Sequence, residues 1–348
     1  MNELINRYQT LLTDQSGVEA IKKEMERQAA DIIKTQASQK SMILALADAL
    51  RACPRILLLG MGASHLVNEI FALQLRKSGI DALALTASEF LYDPIPTEDK
   101  VVLLNSQSGE SGETVKCLPM LNSSQVFGIT LTAGSTIARK TKAILCAGGG
   151  ETAYAGTRSV TLSLAALAFV AAELGQVAPE SVLTAVNFDQ RQTAAMESAI
   201  WTLFSKSSIV ATGRSLFAPL AHLFALGCEE LSTRPVRWDE TGTFRHGPME
   251  ILNADTALVI FRQSGVLGEL CKSFETLQQQ TGCKLIVIDT SGQPPLEQAI
   301  TIACPAGDDI IAALGTMTTF QTLMIAYACG KNPRTGLPKF GSKVTTTE

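Results

Sequence analysis

Ile56-Leu57-Leu58-Leu59-Gly60-Met61-Gly62-Ala63-Ser64-His65 decides the fold. Four aliphatic residues in a row, closed by glycine, are too short a run for a helix and read as a strand buried on both faces, the pattern of a parallel sheet. The glycines after it let the backbone turn sharply and approach a bound anion, and a helix expected from near Val67 aims its first amides the same way. A dinucleotide fingerprint needs a third glycine where His65 stands, so a nicotinamide-dependent dehydrogenase is disfavoured.

The same rhythm continues along the chain. Ala82–Leu85, Val101–Leu104, Val126–Thr130 and Ala143–Cys146 are short apolar runs with helical segments between them. After an Ala/Leu-rich helix over Leu162–Leu174, strands return at Ser208–Thr212, Thr256–Phe261, Lys284–Asp289 and Thr301–Cys304. Upstream, Ile21, Met25, Ala29 and Ile32 recur at helical spacing among Lys, Glu and Gln. The fold class is therefore α/β: two tandem three-layer modules, each a parallel sheet with helices on both faces. Leading helices are expected over 1–50, the first module over 51–190 and the second over 191–348, with a C-terminal tail over 331–348.

Composition agrees. A chain of 348 residues, 46% hydrophobic, has enough apolar surface for two cores. Its net charge of -4 and lack of a basic stripe argue against nucleic acid as a partner. The eight cysteines stand singly, without metal-ligand spacing, and read as buried reduced thiols; with no export signature at Met1–Ile5, a cytoplasmic location is expected, and neither a metal nor a cofactor. The uncharged stretch Ile310–Gly330 contains four threonines and Gln321, which fits a buried core helix better than a membrane span.

The third strand runs into Asn105-Ser106-Gln107-Ser108-Gly109-Glu110-Ser111-Gly112-Glu113-Thr114, hydroxyls and glycines at the carboxyl edge of a parallel sheet. Such a loop suits the oxygens of a small phosphate. In the second half, Glu229 and Glu230 close an apolar helix, and His246 precedes Gly247-Pro248. That imidazole can exchange a proton near neutral pH, and Gly-Pro fixes it on a turn.

Ser106–Thr114 resembles the phosphate loop of the SIS (sugar isomerase) family, to which the isomerase half of glucosamine-6-phosphate synthase belongs. The resemblance extends through Gly62-Ala63-Ser64, Ala87–Phe90, Gly128–Thr130 and Glu151–Thr157, and covers nearly the whole chain after about residue 40. It implies that Ser64, Ser106, Gln107, Ser108 and Ser111 hold a sugar phosphate, with Gly62 beside them. Gly156 stands in the sugar-lining stretch where the family has serine. The sixteen residues from Glu230 to His246 are similar to the spacing between the family's acid-base glutamate and ring-opening histidine, and Lys343 matches its tail lysine. Proton exchange at a sugar ring suits histidine, proton shuttling between C1 and C2 suits a carboxylate, and a lysine can form a Schiff base with a ketose or steady an enolate.

Departures narrow the reading. Gly227 replaces the synthase's pocket lysine, and Asn2 follows Met1 where a glutaminase nucleophile would be cysteine. The resemblance thus points to stand-alone members that deglycate, deaminate or isomerise phosphosugars, acting as at least a homodimer in which the histidine loop reaches a neighbour's pocket. The alternative is a noncatalytic sugar-phosphate-binding regulator; Glu230, His246 and Lys343 together favour the enzyme. No membrane partner is expected.

Overall fold

The structure is a computed structural model that describes residues 2–187 and 193–346. It divides into two compact units, neither of them one continuous stretch. The first module comprises Lys23–Asn187 with Pro338–Glu348; the second comprises Met1–Lys22 with Phe188–Leu337.

Two helices lead the chain, α1 (Asn2–Gln9) and α2 (Ser16–Ala52). The first module then runs β1 (Arg55–Gly60), α3 (Gly62–Arg76), β2 (Asp81–Thr86), α4 (Ala87–Tyr92), β3 (Val101–Asn105) and α5 (Gly112–Cys117). It continues with β4 (Val126–Thr130), α6 (Thr136–Lys140), β5 (Lys142–Leu145), α7 (Arg158–Glu173) and α8 (Pro179–Val186). All its strands are parallel, in the order β2-β1-β3-β4-β5. The aliphatic runs form the central strands because both faces are covered: Leu57, Leu59, Val102 and Leu104 pack with Ala87, Phe90, Cys117 and Ile137 from the helices on one side. Ile56, Leu58, Val101 and Leu103, which alternate with them, are equally buried.

Helix α2 is fastened to this module by polar groups along one side. Glu24 and Asp31 receive the wholly buried Arg158 guanidinium at 2.5 and 3.1 Å, and Arg158 also donates to the carbonyls of Ala147 and Gly149. Glu24 Oε1 accepts from the backbone and hydroxyl of Thr152. One and two turns further on, Thr35 Oγ1 accepts from the Ala147 amide and Gln39 Oε1 from the Leu145 amide. Burial pushes the Glu24 carboxyl up, but the Thr152 amide and the Arg158 guanidinium outweigh it and hold it below the ordinary range.

The second module runs α9 (Thr193–Ser205), β6 (Ser208–Gly213), α10 (Phe217–Ser232), β7 (Arg237–Glu240), α11 (Thr241–Phe244) and β8 (Thr256–Arg262). After these come α12 (Val266–Glu269), α13 (Ser273–Thr281), β9 (Lys284–Asp289), β10 (Ile300–Ala303) and α14 (Ile310–Cys329). Its parallel strands lie in the order β10-β9-β8-β6-β7, which is the first module's topology repeated. Strand β7 was not expected, since Arg237-Trp238-Asp239-Glu240 has no apolar run. It is an edge strand paired only with β6, and its residues are exposed or half-buried, so backbone pairing rather than burial defines it.

Helix α14 is the uncharged stretch, begun by Asp309, whose carboxylate accepts the Ile311 and Ala312 amides. It is long and apolar enough to cross a membrane, but 89% of its most apolar window is buried inside the protein. The cysteines are unpaired, and all but the half-buried Cys53 are buried. Burial pushes the thiols of Cys146, Cys304 and Cys329 up to about 12.

Candidate functional site

In the first sheet the connections diverge between β1 and β3, and in such sheets a ligand sits outside the carboxyl ends of the strands at that point. Strand β1 ends at Gly60, and Gly62 takes a positive φ of 50° with open space where a side chain would stand. Helix α3 begins there, five residues before the expected start near Val67, because glycine accepts the left-handed turn and winding resumes at once. Ser64 therefore lies in its first turn, half-buried.

The serine loop leaves β3 next to it. Ser106 is buried, and its Oγ accepts the Gly109 amide at 3.1 Å, while Ser108 Oγ accepts the Glu110 amide at 3.1 Å. Ser111 stands at the N-cap of α5, yet its side chain makes no capping bond. Each of the first two hydroxyls uses a lone pair on the backbone and retains its hydrogen for an acceptor, which is what a phosphate oxygen requires. Gln107 anchors the loop through its carbonyl, which accepts the Leu131 amide and the Thr130 hydroxyl at 3.0 and 3.1 Å. Gly109 has a φ of 65°, and a Cβ there would lie 2.1 Å from Ser135 Oγ, so both conformation and space demand glycine.

After β5 the chain forms a second wall. Glu151, fully buried at its side chain, accepts the amides of Thr157 and Arg158, the Thr157 hydroxyl, and Ser159 Oγ at 2.5 Å. Its Oε2 also pairs with Lys343 Nζ at 3.1 Å, and Nζ donates to the Tyr154 carbonyl at 3.3 Å. The tail then crosses to the serine loop, where the Thr345 carbonyl accepts the Gly112 amide at 3.0 Å. A Cβ on Gly156 would lie 3.4 Å from Ser159 Oγ and 3.9 Å from Glu151 Oε2, so this glycine borders the same wall. Sequence reasoning assigned Lys343 a place but missed Glu151 as its partner. The signal was a lone glutamate entering an otherwise neutral stretch, Glu151–Thr157.

Ser64, Ser106, Gln107, Ser108, Ser111, Gly62, Gly156 and Lys343 thus all belong to the first module. Glu230 and His246 belong to the second: Glu230 in the last turn of α10 and His246 just past α11, both exposed on this single chain. Gly247, with a φ of 133°, ends the histidine's turn, and the Pro248–Ile251 segment continues as a 3-10 turn. Gly227 lies one turn before Glu230 and faces α14, where a Cβ would stand 2.1 Å from Met324 Sδ. A lysine at this position would require the Met324 side chain to move aside.

The second module also carries a copy of the serine loop, where the sequence pattern indicates only a repeated strand ending in a serine-containing loop. Arg262-Gln-Ser-Gly-Val-Leu-Gly-Glu269 leaves β8 as Ser106-Gln-Ser-Gly-Glu-Ser-Gly-Glu113 leaves β3, with five of eight residues shared, which marks the two as one duplicated loop. Its glycine, Gly265, has a φ of 74° against 65° at Gly109. Where Ser106 offers a hydroxyl, Arg262 is wholly buried and donates to Gly268 O, Pro294 O, Gln293 Oε1 and Asp289 Oδ2. Leu267 replaces Ser111. The copy keeps Ser264 in the place of Ser108, but has a buried internal clamp where Ser106 stands and an apolar side chain where Ser111 stands.

Comparison with known proteins places these loops in context. The SIS domain family matches residues 49–172 and 202–329, so both modules are recognised. The glutamine–fructose-6-phosphate aminotransferase [isomerizing] of Sulfurisphaera tokodaii is 24% identical over 278 residues, 77% of this chain and 46% of that protein. The chain spans about half the length of the curated relatives it matches. Among solved structures, the C-terminal domain of glucosamine-fructose-6-phosphate aminotransferase from Francisella tularensis superposes with a TM-score of 0.76 at 20% identity, covering 92% of this chain and 98% of that one. Glucosamine-6-phosphate deaminase from Thermotoga maritima does so with a TM-score of 0.70 at 20% identity, covering 91% and 99%. At such identities the structural likeness is one of fold, and the family assignment rests on the two matched segments: the chain is a member of the SIS domain family with two SIS domains in tandem.

Proposed function

We propose that this protein is a phosphosugar-processing enzyme that opens a 6-phosphorylated ketosamine or amino sugar and moves a proton between its C1 and C2, releasing the amine. The observation that carries the reading is the first-module edge itself: serine hydroxyls with hydrogens left to donate, and Lys343 held by Glu151 in the same module. Ser64, Ser106, Gln107, Ser108 and Ser111 take the phosphate, Gly62 leaves open space beside it, and Gly156 lies in the stretch that borders the sugar. His246 exchanges protons with the ring oxygen and anomeric hydroxyl during opening. Glu230 removes the C1 proton of the open-chain ketosamine to give an enaminol and returns it to C2, leaving an imine at C1; water adds there and the amine departs. Lys343 steadies the developing enolate oxygen. Proton and electron counts balance without a redox partner.

Release of an amine is preferred to glutamine-dependent synthesis because Gly227 stands where the synthase has its pocket lysine, in the space next to Met324. Exposure of Glu230 and His246 on the single chain suits a homodimer in which a neighbour completes and dries the site, and eight unpaired cysteines suit a reducing cytoplasm. The test is a panel of fructosamine 6-phosphates, glucosamine 6-phosphate and fructose 6-phosphate, scored for hexose 6-phosphate and free amine. Turnover of the aminated substrates with amine release is the expected result. Tight binding of a phosphosugar without turnover of any of them would instead identify a regulator.

A further inference from the structure

Behind Ser64 and Ser106 lies a pair of asparagines that the proposed chemistry does not use. Asn68 on α3 and Asn105 at the end of β3 are both completely buried. Asn105 Nδ2 donates to Asn68 Oδ1 at 3.1 Å and to the Ser64 carbonyl at 3.4 Å. Asn105 is also the residue immediately before Ser106 and is paired in register with Gly60 of β1. One carboxamide therefore spans the divergence of the sheet, tying the turn that carries Ser64 to the strand end that launches the serine loop. Space is tight as well: a Cβ on Gly60 would come within 3.1 Å of Asn68 Nδ2 and 3.0 Å of the Asn105 carbonyl oxygen.

Two polar atoms of the pair, Asn68 Nδ2 and Asn105 Oδ1, are buried without a hydrogen-bond partner, and so are Thr114 Oγ1 on α5 and His65 Nδ1 on α3. Nearly all buried polar groups in proteins are paired, and leaving one unpaired costs as much as an ordinary hydrogen bond contributes. A hydrophobic pair of similar size would close the same space without that cost, so stability alone does not account for the asparagines. Their donor and acceptor fit one group that both accepts and donates, such as a fixed water or a hydroxyl.

We propose that Asn68 and Asn105 are positioning residues for the phosphate site, holding Ser64 in register with Ser106 through the Asn105–Ser64 bond; the inference rests on the phosphosugar reading above. Asn105 acts through Ser64 and does not itself touch the phosphate. The decisive variant is the double replacement Asn68→Leu/Asn105→Leu, which removes both carboxamides and the two unpaired atoms together. Its thermal midpoint is expected to stay level or rise, while the Kd for a sugar 6-phosphate rises about tenfold, the loss of one charge-assisted hydrogen bond. A merely structural pair would show the reverse, a lower midpoint with unchanged affinity.

A double-mutant cycle closes the argument. In a Ser64→Ala background, adding Asn105→Leu should change Kd by less than about twofold, because the group it positions is already gone. Wild-type binding with unaltered affinity in the double-leucine variant, or full additivity in the cycle, overturns the proposal. A wild-type chain that does not bind a sugar 6-phosphate at all overturns the phosphosugar reading and this inference with it.

Discussion

Replacing Ser106 and Ser111 by alanine should separate binding from folding. Ser106 Oγ accepts the Gly109 amide, but that amide also has the Ser106 carbonyl at 3.0 Å, so the methyl variant leaves no buried donor stranded. Ser111 makes no side-chain cap bond to α5, and its loss removes none of the helix's own bonds. The stability change should therefore stay below about 1 kcal/mol, the typical worth of one neutral hydrogen bond. The affinity change is larger. Each hydroxyl offers one hydrogen to a phosphate oxygen, a charge-assisted bond worth about 1.5 kcal/mol or more, and the pair together about 3 kcal/mol before water refills the space. Calorimetric titration with a sugar 6-phosphate should show Kd raised at least about tenfold, roughly 1.4 kcal/mol. Thermal unfolding run alongside should be nearly unchanged. Unaltered affinity in a folded double variant would refute the assignment of this loop as the phosphate site.

Further outcomes follow from the other groups. Glu230→Gln keeps the shape of the side chain and removes its base, so turnover should fall by roughly 10² to 10⁴ and solvent-deuterium exchange at C1 and C2 should stop, with Kd nearly constant; wild-type turnover would reduce Glu230 to a helix-end carboxylate. If Glu230 and His246 reach one site from different subunits, mixing Glu230→Gln and His246→Ala chains after dissociation should restore part of the activity, and verified mixed dimers without recovery would place both in one chain. Arg158→Met removes the buried cation shared by Glu24 and Asp31, leaving them Thr152 and the more exposed Arg27, and should cost several kcal/mol of stability in denaturant titration. The Glu24 carboxyl is held below its unfolded value, so its share of stability is present above the ordinary carboxylate range and lost as pH falls through the folded value. Glu24→Gln should accordingly flatten the acid limb of the stability profile, and an unchanged limb would exclude that role.

Much of the fold was legible because buried parallel strands announce themselves as aliphatic runs. Val126–Thr130 and Lys284–Asp289 are the expected strands without adjustment, and the other expected strands shift by a residue at one or both ends. Strand β7 escaped because an edge strand needs only backbone pairing, which Arg-Trp-Asp-Glu does not advertise. The serine loop could be read as a candidate phosphate site because it is local, built from hydroxyls and glycines a few residues apart. Contacts distant in sequence could not. Lys343 and Glu151 stand 192 positions apart and Asn105 and Ser64 stand 41 apart, and no local pattern links either pair. Arg262 was hidden differently: an arginine at a strand end reads as exposed, and only the convergence of Gly268, Gln293, Asp289 and Pro294 shows it buried.

The two modules borrow opposite ends of the chain, the first taking Pro338–Glu348 and the second Met1–Lys22. During synthesis, α1 emerges long before α14, the helix it packs against, and has to wait for it. The first sheet can form early, but its wall around Glu151 has no ion-pair partner until Lys343 has left the ribosome, when the second module is already made. The nascent first module is thus a folded sheet with an open edge. A chain that stops short of residue 343 would keep the sheet and lose the groups that the tail brings to that edge, so the edge is complete only once residues 343 to 345 have been made.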